Sequence, residues 1–358
     1  MIYNIALEYV DSISIINILR YITFRSVCAF FTSFFIILLI MPYCIRMLQS
    51  LQWKQAILEY VDLHRAKSGT PTMGGITIII AVVLSTLMWT DICNRYVWYT
   101  LLVVCGFGLV GFIDDFTKVV KKHNLGLSAR MKFLLQLCIS ILVLYLLVSE
   151  EHFSTVLYFP FFKHLRLDIG LLYIPFGAFI LVGASNAVNL TDGLDGLASG
   201  SSAIASATLA IFLYVAGNIN VASYLQIPYI AGSGEVAIIA AAFVGACMGF
   251  LWYNAYPASI FMGDVGSLSI GGTLGFFAIL AKQEILLVII GGLFVIETLS
   301  VILQVTYFKA SKGKRIFLMA PLHHHFEKKG IPESKIIVRF WLLAIFFSII
   351  ALSSLKLR

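Results

Sequence analysis

One long apolar stretch follows another along this chain, and that repetition constrains its fold more than any other feature. Stretches of about 17–25 apolar residues match the ~30 Å of hydrocarbon in a bilayer. They are expected as spans near 26–48, 72–90, 97–113, 131–149, 171–188, 199–216, 235–252, 267–281, 286–308 and 337–354. The runs are continuously apolar and do not alternate, which predicts helices rather than a barrel. Hydrophobic residues make up 60% of the 358 and charged residues 12%, a balance no soluble domain of this length could bury. The expected fold class is an all-α polytopic membrane protein of about ten transmembrane helices.

Residues 1–25 carry Glu8, Asp11, Arg20 and Arg25 among Ile and Leu, unlike a secretory signal. They are expected to form an interfacial segment, with 26–358 a single transmembrane catalytic domain. Ten spans place both termini on one side. The loops 49–71, 114–130, 189–198, 253–266 and 309–336 hold most of the lysines and arginines, while the other set holds Arg95, Lys163, Arg166 and Lys282. The positive-inside rule puts the first set in the cytoplasm and both termini in the periplasm. Basic loops fit either anionic lipid contact or an anionic substrate. The six cysteines are scattered without a CxxC, so neither a disulfide framework nor a zinc site is indicated.

The unusual polar clusters gather in the inner loops. Asp114 and Asp115 end the third span beside Lys118; such a pair is either a solvated helix end or a magnesium or general-base site. Asn186, Asn189, Asp192 and Asp195 recur every third residue, a spacing that places them near a common helical stripe, unless they merely cap a helix–turn. Asp264 lies between glycines just before a span, a third inner acid that would converge with the first two on a metal. Phe261 nearby is either an interfacial anchor or a platform for a base. His323, His324 and His325 follow Pro321 in the longest basic loop. Consecutive histidines diverge, which disfavours zinc and leaves phosphate contact or proton transfer. His64–Gly75 has phosphate-loop composition without the P-loop pattern, so an ATPase is not supported.

Six ordered motifs carry a family resemblance: GTPTMGG at 69–75, GFIDDFTKV at 111–119, GLSARMKFLLQ at 126–136, NAVNLTDGLDGLA at 186–198, NAYPASIFMGDVGSL at 254–268 and RIFLMAPLHHHFEKKG at 315–330. On these the chain resembles the phospho-N-acetylmuramoyl-pentapeptide-transferase family, within the polyprenyl-phosphate N-acetylhexosamine-1-phosphate transferases. The resemblance implies transfer of phospho-MurNAc-pentapeptide from UDP-MurNAc-pentapeptide to undecaprenyl phosphate within the lipid bilayer of the bacterial inner membrane, giving lipid I and UMP, with Mg2+. It implies Asp264 as the principal metal ligand, Asp114, Asp115 and Asp264 as catalytic acids with His323, and Lys118 and Lys132 against phosphate. It further implies that Lys67, Asn189, Asp192, Asp195, Asn254, Phe261, Gln304 and His324 line the nucleotide and sugar site. It allows a homodimer; no nucleic-acid partner is expected.

The expected chemistry is a direct displacement by the lipid phosphate, or else a covalent route through one aspartate. A polyprenyl-phosphate GlcNAc-1-phosphate transferase is the second enzyme reading. A lipid or solute transporter is the reading from another class; of the acids, only Glu297, inside a span, fits it.

Overall fold

The computed structural model describes residues 2–9, 14–51, 69–121, 126–151, 153–162 and 165–356. The helices in chain order are α1 (Ile2–Tyr9), α2 (Ile22–Ser50), α3 (Gly75–Trp89), α4 (Arg95–Lys121) and α5 (Ala129–Val148). A short antiparallel hairpin follows, β1 (Val156–Tyr158) on β2 (Arg166–Asp168), with Leu157 opposite Leu167. Then come α6 (Tyr173–Thr191), α7 (Leu197–Ala216), α8 (Ile219–Leu225), α9 (Ser233–Asn254), α10 (Gly263–Leu280), α11 (Leu287–Ile290), α12 (Gly292–Ala310), α13 (Leu322–Lys328) and α14 (Glu333–Ser353). The protein is an all-α polytopic membrane protein, the hairpin aside.

Nine of the ten expected spans each coincide with one helix; the run expected at 286–308 is broken at Gly291 into α11 and α12. Among the described residues nine helices are long and apolar enough to cross a membrane, and α3 is shorter at 15 residues. The shortening has a local cause. Residues 71–74 turn against the 261–262 segment: Phe261 N–H donates to Pro71 O and Gly74 N–H to Phe261 O, both at 2.9 Å. Met73 takes a positive φ of 73°, through which a right-handed helix does not run, so the helix starts only at Gly75. At α5 the start is set by Ser128, whose hydroxyl accepts the Met131 N–H at 3.3 Å, an N-cap.

The core sits around α10, which is buried continuously from Val265 to Leu280. α7 and α9 are also largely buried. Apolar side chains on the outside are the rule here: Leu39 is 70% exposed and Phe179 76%, as expected where the solvent is hydrocarbon. Inside, short hydroxyls link helices. Ser33 donates to Ala242 O at 2.7 Å, Ser85 to Ala29 O at 2.8 Å and Ser269 to Val104 O at 2.8 Å. Small polar residues that let helix backbones approach and then bond across are the usual adhesive in a bilayer.

The bundle end away from the inner-loop polar clusters is closed by ion pairs. Arg25 lies within α2, 1% exposed, and holds Glu235 of α9 through two bonds of 2.7 and 2.6 Å while donating to Trp89 O at 3.1 Å. Lys282 pairs with Glu284 at 2.9 Å, also donating to Ser154 O beside the hairpin and to Tyr173. Arg95 meets Glu150 at 3.0 Å. These three pairs match charge with charge at this end, whereas the opposite end gathers acids and lysines around one point.

Candidate functional site

The last turns of α4 carry Asp114 and Asp115, 3% and 5% exposed. They reach the first turn of α10 because Gly111 has no side chain: a β-carbon there would stand 2.2 Å from the Asp264 carbonyl oxygen. Backbone therefore meets backbone, and three carboxylates converge. Ligand oxygens of Asp114, Asp115 and Asp264 all lie within 4.8 Å of one another, and among the described residues no other such group of acids, histidines or cysteines occurs. Asp264 sits at a helix N-terminus, where the macrodipole favours a negative charge.

Two lysines face the acids. Lys118 Nζ is 2.6 Å from Asp114, 3.3 Å from Asp115 and 3.0 Å from Asp264. Lys132, from α5, is 2.7 Å from Asp264 and 3.9 Å from Asp114. Asn189 of α6 donates to Asp264 Oδ1 at 2.7 Å and to Ser267 Oγ at 2.8 Å. The remaining carboxylate oxygens are held by backbone: Asp114 Oδ1 accepts from Leu127 N–H at 2.7 Å, Asp115 Oδ2 from Val265 N–H at 3.2 Å. Four helices thus fix one charged centre.

The donor set fits a divalent cation. All three convergent groups are carboxylates, hard oxygen ligands of the kind that suit Mg2+, Ca2+ or Mn2+ rather than soft metals. The Lys118 ammonium already stands at their point of convergence, so the position attracts a cation. The cluster is compatible with a divalent metal ion.

The four-residue array at 186–195 does not form one stripe. α6 ends at Thr191, so only Asn186 and Asn189 lie on the helix. Asn186 turns to Gln136 Oε1 at 2.8 Å, away from the acids. Asp192 caps α6, half-buried, and its carboxyl is pushed up to about 8 by burial and then by the charges of Asp264, Asp115 and Asp195. Asp195 leaves the helix axis altogether; its Oδ2 accepts the Ala258 N–H at 3.0 Å and its own N–H donates to Glu333 at 3.0 Å. Asn254 accepts from Gly196 N–H at 3.0 Å and Ser199 Oγ at 3.1 Å, and donates to Ile260 O at 2.9 Å. Asp195 and Asn254 therefore tie the 192–196 loop to the 254–262 loop.

Phe261 is half-buried beside this junction. Lys67 lies outside the described residues, as do His64 and Arg65. The three histidines take different partners, but they do not all diverge: the His323 and His324 rings pack with centroids 4.2 Å apart. His323 Nδ1 is 3.1 Å from Glu297 Oε2, His324 Nδ1 is 2.6 Å from Glu327, and His325 Nδ1 accepts the Leu318 N–H at 3.1 Å. Burial holds the His323 imidazole below the usual histidine range, against the pull of Glu297. Gln304 is bonded to the loop after α12: its Oε1 accepts the N–H groups of Ile316 and Phe317 at 3.1 and 2.9 Å.

Asp114, Asp115, Lys118, Lys132, Asn189 and Asp264 are therefore brought into direct contact, with Asp192 coupled to them electrostatically. Ser267, Gly111 and Glu333 were not singled out from sequence as site residues. Gly111 and Ser267 fall inside quoted motifs, but Glu333 has no local signal; only the folded chain brings it to Asp195.

Carboxylates and lysines massed at one end of a membrane-crossing helical bundle are the class of site that membrane-embedded phosphoryl transferases use. Residues 97–282 match Glycosyl transferase family 4. The chain is similar to phospho-N-acetylmuramoyl-pentapeptide-transferases of Nitratidesulfovibrio vulgaris, 57% identical, Oleidesulfovibrio alaskensis, 55%, and Citrifermentans bemidjiense, 51%, each covered over 100% of both chains. It belongs to the phospho-N-acetylmuramoyl-pentapeptide-transferase family, multi-pass transferases of the bacterial cytoplasmic membrane.

Proposed function

We propose that the protein moves phospho-MurNAc-pentapeptide from UDP-MurNAc-pentapeptide to undecaprenyl phosphate, forming lipid I and UMP for peptidoglycan synthesis. The observation that carries this reading is the convergence of Asp114, Asp115 and Asp264 with Lys118 and Lys132 at one end of a membrane bundle. Phosphoryl transfer asks a protein mainly for positioning and for charge stabilisation around the phosphorus.

In this reading Mg2+ is the cofactor, held by Asp264 with Asp114 and Asp115. When bound it neutralises charge on the phosphate oxygens. Lys118 and Lys132 stabilise the charge that gathers on the departing UMP. Asn189 orients Asp264. Asp114 or Asp115 accepts the acceptor phosphate's proton; the freed oxygen forms a bond to the sugar-linked phosphorus as the bond to UMP breaks. Asp192, Asp195, Asn254, Phe261, Lys67, Gln304 and His324 belong to the nucleotide and sugar region, with Asp195 and Asn254 shaping it through the backbone and Gln304 through the 316–317 segment. His323 completes the catalytic set.

Both termini are assigned to the periplasm, the residues before α2 to the membrane interface, and the chain from α2 onward to one catalytic domain, since Arg25 is buried within the bundle; a homodimer is compatible with this arrangement. The purified protein, given both substrates and Mg2+, is expected to release UMP and form lipid I. No release from well-folded protein, or preference for UDP-GlcNAc, would overturn the substrate assignment. UMP released before acceptor lipid is added would favour the covalent route.

A further inference from the structure

The transfer reading leaves Glu297 without a role. It lies in the body of α12 and is 0% exposed. A carboxylate at that depth requires a partner, because an uncompensated charge there is strongly disfavoured. The partner is His323, itself 0% exposed, with Nδ1 3.1 Å from Glu297 Oε2. The dyad is unfinished at both ends. Glu297 Oε1 and His323 Nε2 are buried with no hydrogen-bond partner. Buried polar atoms are seldom left so, and an exception asks what bonds to it in the working state.

Nε2 points at the loop beside the acid centre. A β-carbon on Gly193 would lie 2.2 Å from it, and Gly193 follows Asp192, whose carboxyl feels the charges of Asp264 and Asp115. The loop is unevenly held. Its far half is pinned by Asp195 to Ala258 and Glu333, by Gly196 to Asn254, and by Trp341 to Gly196 O. Its near half makes local bonds, Asp192 N–H to Val188 O and Asn189 O and Gly193 N–H to Thr191 O. Access to Nε2 requires 192–193 to give way, the half of the loop held by local bonds, while 195–196 is the half pinned to other elements.

We propose that Glu297 is a positioning residue, holding His323 so that its Nε2–H donates a hydrogen bond to an oxygen of the anionic nucleotide donor entering beside Gly193. This rests on the transfer reading. Phosphate oxygens at this point only accept, so Nε2 must carry a hydrogen. Burial favours a neutral ring in the empty site, but between the Glu297 carboxylate and an arriving phosphate oxygen the imidazolium has an anion on each side, Nδ1–H donating to Glu297 and Nε2–H to the phosphate. Carboxylate partners that orient a histidine in this way are familiar from triads and metal sites.

The test uses full-length protein, UDP-MurNAc-pentapeptide, undecaprenyl phosphate and Mg2+, with donor binding measured separately in the absence of lipid acceptor. Glu297→Leu and His323→Gln are each expected to lower kcat/KM by about 10–100-fold, the scale of losing an orienting carboxylate, and to weaken donor binding. The double variant is expected to be no worse than His323→Gln, since both changes remove one interaction. Glu297→Gln should recover most of the Glu297→Leu loss, because its amide can donate to Nδ1 and leave Nε2–H available. Losses that multiply in the double variant, or donor binding by Glu297→Leu equal to the unsubstituted protein, would overturn the proposal. If Glu297→Leu does not yield monodisperse protein, Glu297→Gln and Gly193→Ala carry the test. Gly193→Ala, which forces the imidazole aside, is expected to weaken donor binding, and unchanged binding counts against the dyad. An unsubstituted protein that releases no UMP sinks the transfer reading itself; normal release with multiplying losses sinks the dyad alone.

Discussion

Asp264 gathers contacts from three other helices: Lys118 on α4, Lys132 on α5 and Asn189 on α6. Its replacement should therefore be felt in function before stability. Asp264→Asn keeps the shape and the Asn189 neighbour but loses the charge. It is expected to lower UMP release by at least about 100-fold, the scale of removing one preorganised electrostatic group, while detergent-extracted protein keeps its elution profile and Tm. Asp192 allows a pH test. Its folded carboxyl is raised to about 8, so between its ordinary range and that value the unfolded chain ionises while the folded chain stays protonated. Stability contributed at this position thus falls as pH rises from about 5 to about 8 in metal-free protein. Thermal melts across that range should flatten in Asp192→Asn; identical slopes would show that the carboxyl is not so perturbed. Residue types were legible from sequence here, since adjacent acids at a span end have few inexpensive explanations. Their division of labour was not. Asp195 and Asn254 lie in motifs as prominent as that of Asp264, yet their side chains bond to loop backbone, which depends on where α6 ends.

At the scale of elements, the apolar runs located the spanning helices, and departures arose at the Gly291 break and at ends where a side-chain cap or a turn against a neighbouring loop fixes the helix start. Ser128 and the 71–74 turn are the two plain cases of such ends. They leave little trace in hydropathy. The contact of α4 with α10 is the element-level feature that the centre needs. Gly111→Ala places a methyl group 2.2 Å from the Asp264 carbonyl oxygen, so the helices must part. Overpacking of this kind costs about 1–3 kcal/mol, but the larger effect is expected in activity, because the parting separates two acids from the third. Titration of Mg2+ against UMP release should show a weakened metal requirement curve for this variant; an unshifted curve would mean that the helices accommodate the methyl group without moving.

For the whole molecule, the asymmetry between the two ends is legible in the sequence. It follows from counting lysines by loop, and the folded chain adds that the sparser end closes its charges in pairs such as Arg25–Glu235. Sidedness has a direct measurement. Cys93 is exposed on the turn between α3 and α4, at the end assigned to the periplasm. A membrane-impermeant thiol reagent is expected to label it in intact spheroplasts and to spare a cysteine placed at Lys312. Labelling in the reverse pattern would invert the orientation. The backbone proximity at Gly111 also bears on biosynthesis. Because the acids are divided between an early helix and a late one, a ribosome part-way through the message has made nothing that can act. The nascent protein stays inert in the translocon until the later helix docks, so an interrupted synthesis would leave an idle fragment rather than a leaky enzyme drawing on the cell's lipid carrier.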